Sequence, residues 1–149
     1  MLDLFQELKG VVSALEQRRI PYALCGGLAV AIHVQARATV DIDLLILPEC
    51  LGPAIQAVAP LGYVIPAKPR AFAKGAIQIH RVTKVDAQTG EAISLDLLLV
   101  TPKISRVWKT RKKVDWEYAK ISVVSRSGLV FLKSLRKSGI DKDDIKRLS

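Results

Sequence analysis

The stretch Leu24-Cys25-Gly26-Gly27-Leu28-Ala29, followed by Arg37-Ala38-Thr39-Val40-Asp41-Ile42-Asp43-Leu44, decides how this chain is read. It predicts a strand, a glycine turn opening a short apolar helix, and a second strand carrying two carboxylates. A glycine pair at a helix start presents bare backbone N–H groups and a positive dipole end, which suits phosphate. Aspartates at i and i+2 on a strand point the same way, roughly 6–7 Å apart, close enough to share metal ions. Val40, Ile42, Leu44 and Ile46 then cover one sheet face, and Asp41 and Asp43 occupy the other.

Upstream of this stretch, Leu4, Leu8, Val11, Val12 and Leu15 recur at helical spacing and predict a helix over about 2–18. Pro21 stops its continuation, and Tyr22 to Cys25 reads as a short buried strand. Downstream of it, the apolar helix runs over 27–35 and the second strand over 40–47. Pro48 ends that strand, and a helix over 49–60 closes at Gly62. Residues 63–75, with Pro66, Pro69 and Gly75, read as a loop or ragged edge. Ile77 to Val85 and Glu91 to Val100 are strands joined by the turn Asp86-Ala87-Gln88-Thr89-Gly90, hence a hairpin. Its second strand carries Asp96 between Leu95 and Leu97. A basic segment, 103–113, precedes a strand over 119–124. Ser125 or Ser127 then caps a helix striped by Leu129, Leu132 and Leu135. Asp141 and Asp144 suggest a last helical turn ending near Leu148.

The 149 residues, half of them hydrophobic, imply one domain with one core and exclude a disordered chain. No apolar run approaches the ~20 residues of a membrane span, and the amphipathic start does not resemble a secretory signal. Cys25 and Cys50 have neither metal nor redox spacing, which fits reduced thiols in a cytoplasm. Residues 1–100 hold nine basic and nine acidic side chains, whereas 101–149 hold fourteen and five and so carry the whole net charge of +9. That basic segment suits an anionic partner such as RNA, or is simply a solvated surface. Trp108, set among its lysines and arginines, either stacks on a base or packs beneath the segment.

Asp41, Asp43 and Asp96 are each embedded among aliphatics, where an ionised side chain is costly unless paired or metal-bound. Two acids on one strand and a third on a neighbour suit two Mg²⁺ ions roughly 3.5–4 Å apart. Gly26-Gly27, thirteen intervening residues, Asp41-Ile42-Asp43 and the later Leu95-Asp96-Leu97 resemble the DNA polymerase β-like nucleotidyltransferase superfamily. More narrowly, Gly26-Gly27-Leu28-Ala29 and Arg37-x-Thr39-x-Asp41-x-Asp43 resemble small bacterial proteins of the AbiEii toxin type. The tail residues Ser125, Leu129, Lys133, Asp144, Ile145 and Leu148 resemble that group too.

The resemblance implies an α+β fold with a mixed, mainly antiparallel sheet, helices on one face and the site on the other. It implies transfer of an NMP from an NTP to an acceptor hydroxyl of RNA, protein or a small molecule, with pyrophosphate released. Gly26, Gly27, Arg37, Thr39 and Lys133 would bind the nucleotide. Asp41, Asp43 and Asp96 would be catalytic and would hold two Mg²⁺ or Mn²⁺ ions, with Asp96 acting on the acceptor. A cognate antitoxin is a further implied partner. Many active members of that family carry Ser after the first glycine or soon after the second, whereas Leu28 follows Gly27 here, so phosphate binding would rest on backbone donors. A non-catalytic nucleotide- or partner-binding member is the alternative. A plain RNA-binding module would explain the basic tail but not the acids.

Overall fold

The computed structural model describes residues 2–33, 41–116 and 119–136. Helix α1 (Leu4–Gln17) starts where the Asp3 side chain accepts from the N–H groups of Phe5 and Gln6. It buries Leu8, Val11, Val12 and Leu15, the predicted apolar stripe. Strand β1 (Ala23–Cys25) leads directly into α2 (Gly26–His33), and β2 (Asp41–Ile46) follows. Helix α3 (Leu51–Val58) is flanked by 3-10 turns over Pro48–Cys50 and Ala59–Leu61, and ends at Gly62 with φ 104°. Only a residue at ease in the left-handed region closes a helix in this way.

The segment expected as a ragged edge contains two short strands, β3 (Ile65–Pro66) and β4 (Arg70–Phe72). Both pair antiparallel with β5 (Ile77–Val85), which forms the expected hairpin with β6 (Ala92–Leu99). Gly90 has φ 77°, and Asp86 N–H donates to the Glu91 carbonyl at 2.8 Å, which fixes the hairpin register. The basic segment is more ordered in type than its composition suggests. It forms a 3-10 turn, α4 (Ser105–Lys109) and β7 (Lys112–Trp116), which pairs with β8 (Ala119–Val123). Helix α5 (Arg126–Arg136) comes last, and Ser125 Oγ accepts from Gly128 N–H at 3.1 Å at its start. The final turn expected near Leu148 lies outside the described residues.

The eight strands among the described residues form one sheet in the order β3-β5-β6-β2-β1-β8-β7, with β4 also paired to β5. Five pairings are antiparallel, and β2·β6 and β1·β8 are parallel. This is the α+β architecture with a mainly antiparallel sheet. Helix α1 lies on one face. Its Glu7 takes hydrogen bonds from Lys84 Nζ at 2.9 and 3.1 Å and from the fully buried Tyr63 hydroxyl at 2.9 Å. Lys84 alternates to the side away from Arg81, so α1 and the 3-10 turn after α3 cover the face opposite the acids. Tyr22 ties α1, β1 and β8 together: its hydroxyl donates to Glu16 and accepts from Ser122 N–H. Burial raises the pKa of both phenols well above the usual tyrosine value.

Candidate active site

Side chains alternate across a strand, so the pairing register determines which groups meet. Cys25 of β1 lies opposite Asp43 of β2, Asp43 opposite Asp96 of β6, and Asp96 opposite Arg81 of β5. The result is a single row, Arg81–Asp96–Asp43–Cys25, running across four strands on one face. A second row one step along joins Thr83, Ser94 and Asp41, with the Thr83 and Ser94 hydroxyls 3.2 Å apart. The three predicted carboxylates therefore share a patch of sheet, and an arginine shares it with them.

Arg81 is bound to the acid at the centre of the row. Its Nε donates to Asp96 Oδ1 at 2.7 Å and its Nη2 to Asp96 Oδ2 at 3.0 Å. The same Nη2 lies 3.7 Å from Asp41 Oδ2. A planar guanidinium that grips both oxygens of one carboxylate makes a charge-assisted pair stronger than neutral hydrogen bonds. The Asp96 hydrogen bonds, with help from Asp41 and Asp43, raise the Arg81 pKa further above its already high value. Asp96 is 4 % exposed, whereas the Arg81 side chain is about a third exposed.

Gly26 explains why a glycine opens α2. Its φ is +68°, and a Cβ placed there would lie 2.2 Å from Asp43 Oδ2 and 2.7 Å from its Cγ. The Asp43 carboxylate thus lies against the positive end of α2, where a helix dipole favours negative charge. Gly27 is buried in the first turn of the same helix. Leu28, the position where a hydroxyl was missing, is 2 % exposed and belongs to the core. Its side chain is therefore committed to packing.

Helix α5 reaches this face from one end. Lys133, with Leu129 and Leu132, lines a small pocket together with Cys25, Gly26, Asp43, Ile77 and Leu98. At 6 % exposure Lys133 is not the solvated lysine that its amphipathic helix suggests. Gly26, Asp41, Asp43, Asp96 and Lys133 are thus brought together, and Arg37 and Thr39 lie outside the described residues. Trp108 is 9 % exposed and packs into the core, with the Arg111 guanidinium 3.9 Å over its ring. That contact takes the ring face a base would need and removes the stacking reading. Lys112, Lys113 and Lys120 are exposed along β7 and β8 at the sheet edge, where lysines discourage pairing with a further strand.

The donors on the acid face are carboxylate oxygens, which suit a hard cation such as Mg²⁺ or Mn²⁺. Among the described residues, however, no three His, Cys, Asp or Glu side chains converge to form a metal centre. Arg81 occupies Asp96 and leans on Asp41, and Asp43 is drawn to the head of α2.

Hairpin register places Arg81. Antiparallel partners in a hairpin keep a constant sum, and the closing pair Asp86–Glu91 makes residue 81 face residue 96. Reading the hairpin only as two strands and a turn misses this.

No protein-family model matches the sequence, and no curated protein matches it either. Solved structures do resemble the fold. The lincosamide antibiotic adenylyltransferase LnuA, in its lincomycin-bound form, aligns over 96 % of this chain and 94 % of its own, with 19 % identity and a TM-score of 0.60. ANT(2")-Ia, in complex with adenylyl-2"-tobramycin, aligns over 97 % and 87 %, with 14 % identity and a TM-score of 0.64. TM1012 of Thermotoga maritima, a candidate nucleotidyltransferase, aligns over 96 % and 89 %, with 13 % identity and a TM-score of 0.63. The chain therefore has the fold of nucleotidyltransferases. Among the described residues, no helix is long and apolar enough to cross a membrane.

Proposed function

We propose that this chain is a metal-dependent nucleotidyltransferase of the polymerase β-like superfamily, similar to the small AbiEii-type proteins. It would move an NMP from an NTP to an acceptor hydroxyl and release pyrophosphate. The observation that carries this reading is the cross-strand pair Asp43–Asp96, flanked by Asp41, at the head of a helix that begins with two glycines. Backbone N–H groups of the Gly26–Gly27 turn would face the triphosphate, and Lys133 would meet a phosphate oxygen beside Asp43. Asp41, Asp43 and Asp96 would hold Mg²⁺ or Mn²⁺, which when bound supplies neutralising charge for the triphosphate and the leaving pyrophosphate. Asp96 would take the proton of the attacking hydroxyl. The rest of catalysis is positioning.

LnuA and ANT(2")-Ia, whose structures contain lincomycin and an adenylylated tobramycin, favour a hydroxylated small molecule as acceptor. The exposed Lys103 and Arg106, which border a cavity of about 530 Å³ between α4 and α5, leave an anionic acceptor such as RNA as the other choice. Incubation with each α-labelled NTP and Mg²⁺, with hydroxylated antibiotics or total RNA, tests the reading. Label on an acceptor, matched by pyrophosphate and lost in Asp41→Asn and Asp43→Asn, supports it. Unchanged transfer in those variants refutes the site. The ion pair on Asp96 favours one second reading: a non-catalytic member that binds nucleotide or an antitoxin protein. It predicts binding without any labelled product.

A further inference from the structure

We propose that Arg81 is a built-in lock on the site: it holds Asp96 in an ion pair and competes with a divalent cation for that carboxylate. Asp96 would join Asp41 and Asp43 around a cation only when Arg81 swings away. The proposal rests on the nucleotidyl-transfer reading only in taking a divalent cation as the competitor.

Four observations carry it. First, both Asp96 oxygens are taken by one guanidinium, at 2.7 and 3.0 Å. Second, Nη2 also stands 3.7 Å from Asp41 Oδ2, so Arg81 reaches two of the acids that would hold a cation. Third, the partners differ in freedom. Asp96 is 4 % exposed on an inner strand, while Arg81 has a long stem and a side chain about a third exposed. If the pair opens, the arginine is the partner that moves. Fourth, an arginine stays charged at any working pH, so the pair opens by movement and not by proton loss.

The electrostatics favour exchange over simple addition. A divalent ion entering beside Arg81 would meet a fixed positive charge and a carboxylate with both oxygens already hydrogen-bonded to it. Without either cation, three carboxylates on two adjacent strands of one sheet face would repel one another. Arg81 is thus a positioning residue, which keeps the acids compatible with the fold until the metal–nucleotide arrives.

The test is Mn²⁺ affinity, read from the free-ion electron paramagnetic resonance signal without any turnover. Arg81→Met keeps the stem and removes the charge, and Arg81→Lys keeps the charge but loses the two-pronged grip. The lock predicts Mn²⁺ binding roughly tenfold to a hundredfold tighter in Arg81→Met, the range a charge-assisted pair is worth. Arg81→Lys should fall between it and the wild type. Adding Asp96→Asn to Arg81→Met should abolish the gain. Unchanged or weaker Mn²⁺ binding in a folded Arg81→Met protein overturns the lock. If that variant does not fold, an Arg81→Lys protein with no gain does so instead. The two claims fail separately. Tighter Mn²⁺ binding without transfer in any assay keeps the lock and sinks the enzyme reading. Aspartate-dependent transfer with Mn²⁺ affinity indifferent to Arg81 does the reverse.

Discussion

Replacing Gly26 by alanine probes the contact on which the site is built, and its cost divides into two parts. Gly26 has φ +68°; a Cβ in the left-handed region costs roughly 1–2 kcal/mol whatever surrounds it. The second part is steric. The new methyl would lie 2.2 Å from Asp43 Oδ2, 2.7 Å from Cγ and 2.9 Å from Cβ, where carbon contacts are favourable only near ~3.5–4.0 Å. Forcing an extra methyl into such a gap costs roughly 1–3 kcal/mol, so Gly26→Ala should lose roughly 2–5 kcal/mol in all. The steric part belongs to Asp43, since alanine at 43 removes the two worst contacts. Urea unfolding of wild type, Gly26→Ala, Asp43→Ala and the double variant forms a thermodynamic cycle. The double variant should be more stable than the summed losses predict, by about 1–3 kcal/mol. Additivity to within about 0.5 kcal/mol would refute the claim that the carboxylate sits against the head of α2.

Two further outcomes follow from the packing. Restoring a hydroxyl by Leu28→Ser should destabilise the protein by roughly 2–5 kcal/mol, as emptying a buried leucine site does. It should not improve nucleotide affinity, because Leu28 faces the core; tighter binding in a titration would contradict that placement. Tyr63→Phe should cost about 0.5–1.5 kcal/mol at neutral pH for the lost bond to Glu7, which keeps Lys84. Because burial raises the folded-state pKa of Tyr63 above the ordinary value of 10.0, the wild type keeps its full stability below pH 10 and loses it as pH rises beyond. Tyr63→Phe should therefore show a shallower alkaline decline in melts from pH 9 to 11.5, and identical slopes would contradict the burial argument.

Much of this was legible in the sequence because a period of two and a turn leave little choice. The alternation over 41–46 put both aspartates opposite the aliphatics, and the turn 86–90 announced the hairpin that presents Asp96. What stayed hidden depends on long-range packing. Lys112 and Lys113 fall in the basic segment 103–113, whose composition does not mark a strand, and only pairing with β8 makes Lys112–Trp116 the strand β7. Composition leaves Trp108 either stacking on a base or packing, and only the fold, with Arg111 over its ring, decides for packing. Lys133 is marked only by the tail's resemblance, since its helical stripe gives no sign that one end reaches Asp43. Arg81 is the instructive omission: its partner follows from the hairpin register, yet nothing in its own neighbourhood marks it.

The central claim is that Asp41 and Asp43 bind nucleotide through a divalent cation. Calorimetric titration of an NTP into the wild type with and without Mg²⁺, repeated with Asp41→Asn/Asp43→Asn, tests it most directly. The account predicts binding that needs Mg²⁺ and disappears in the folded double variant. Binding that is equally strong without Mg²⁺ and indifferent to both aspartates would contradict it.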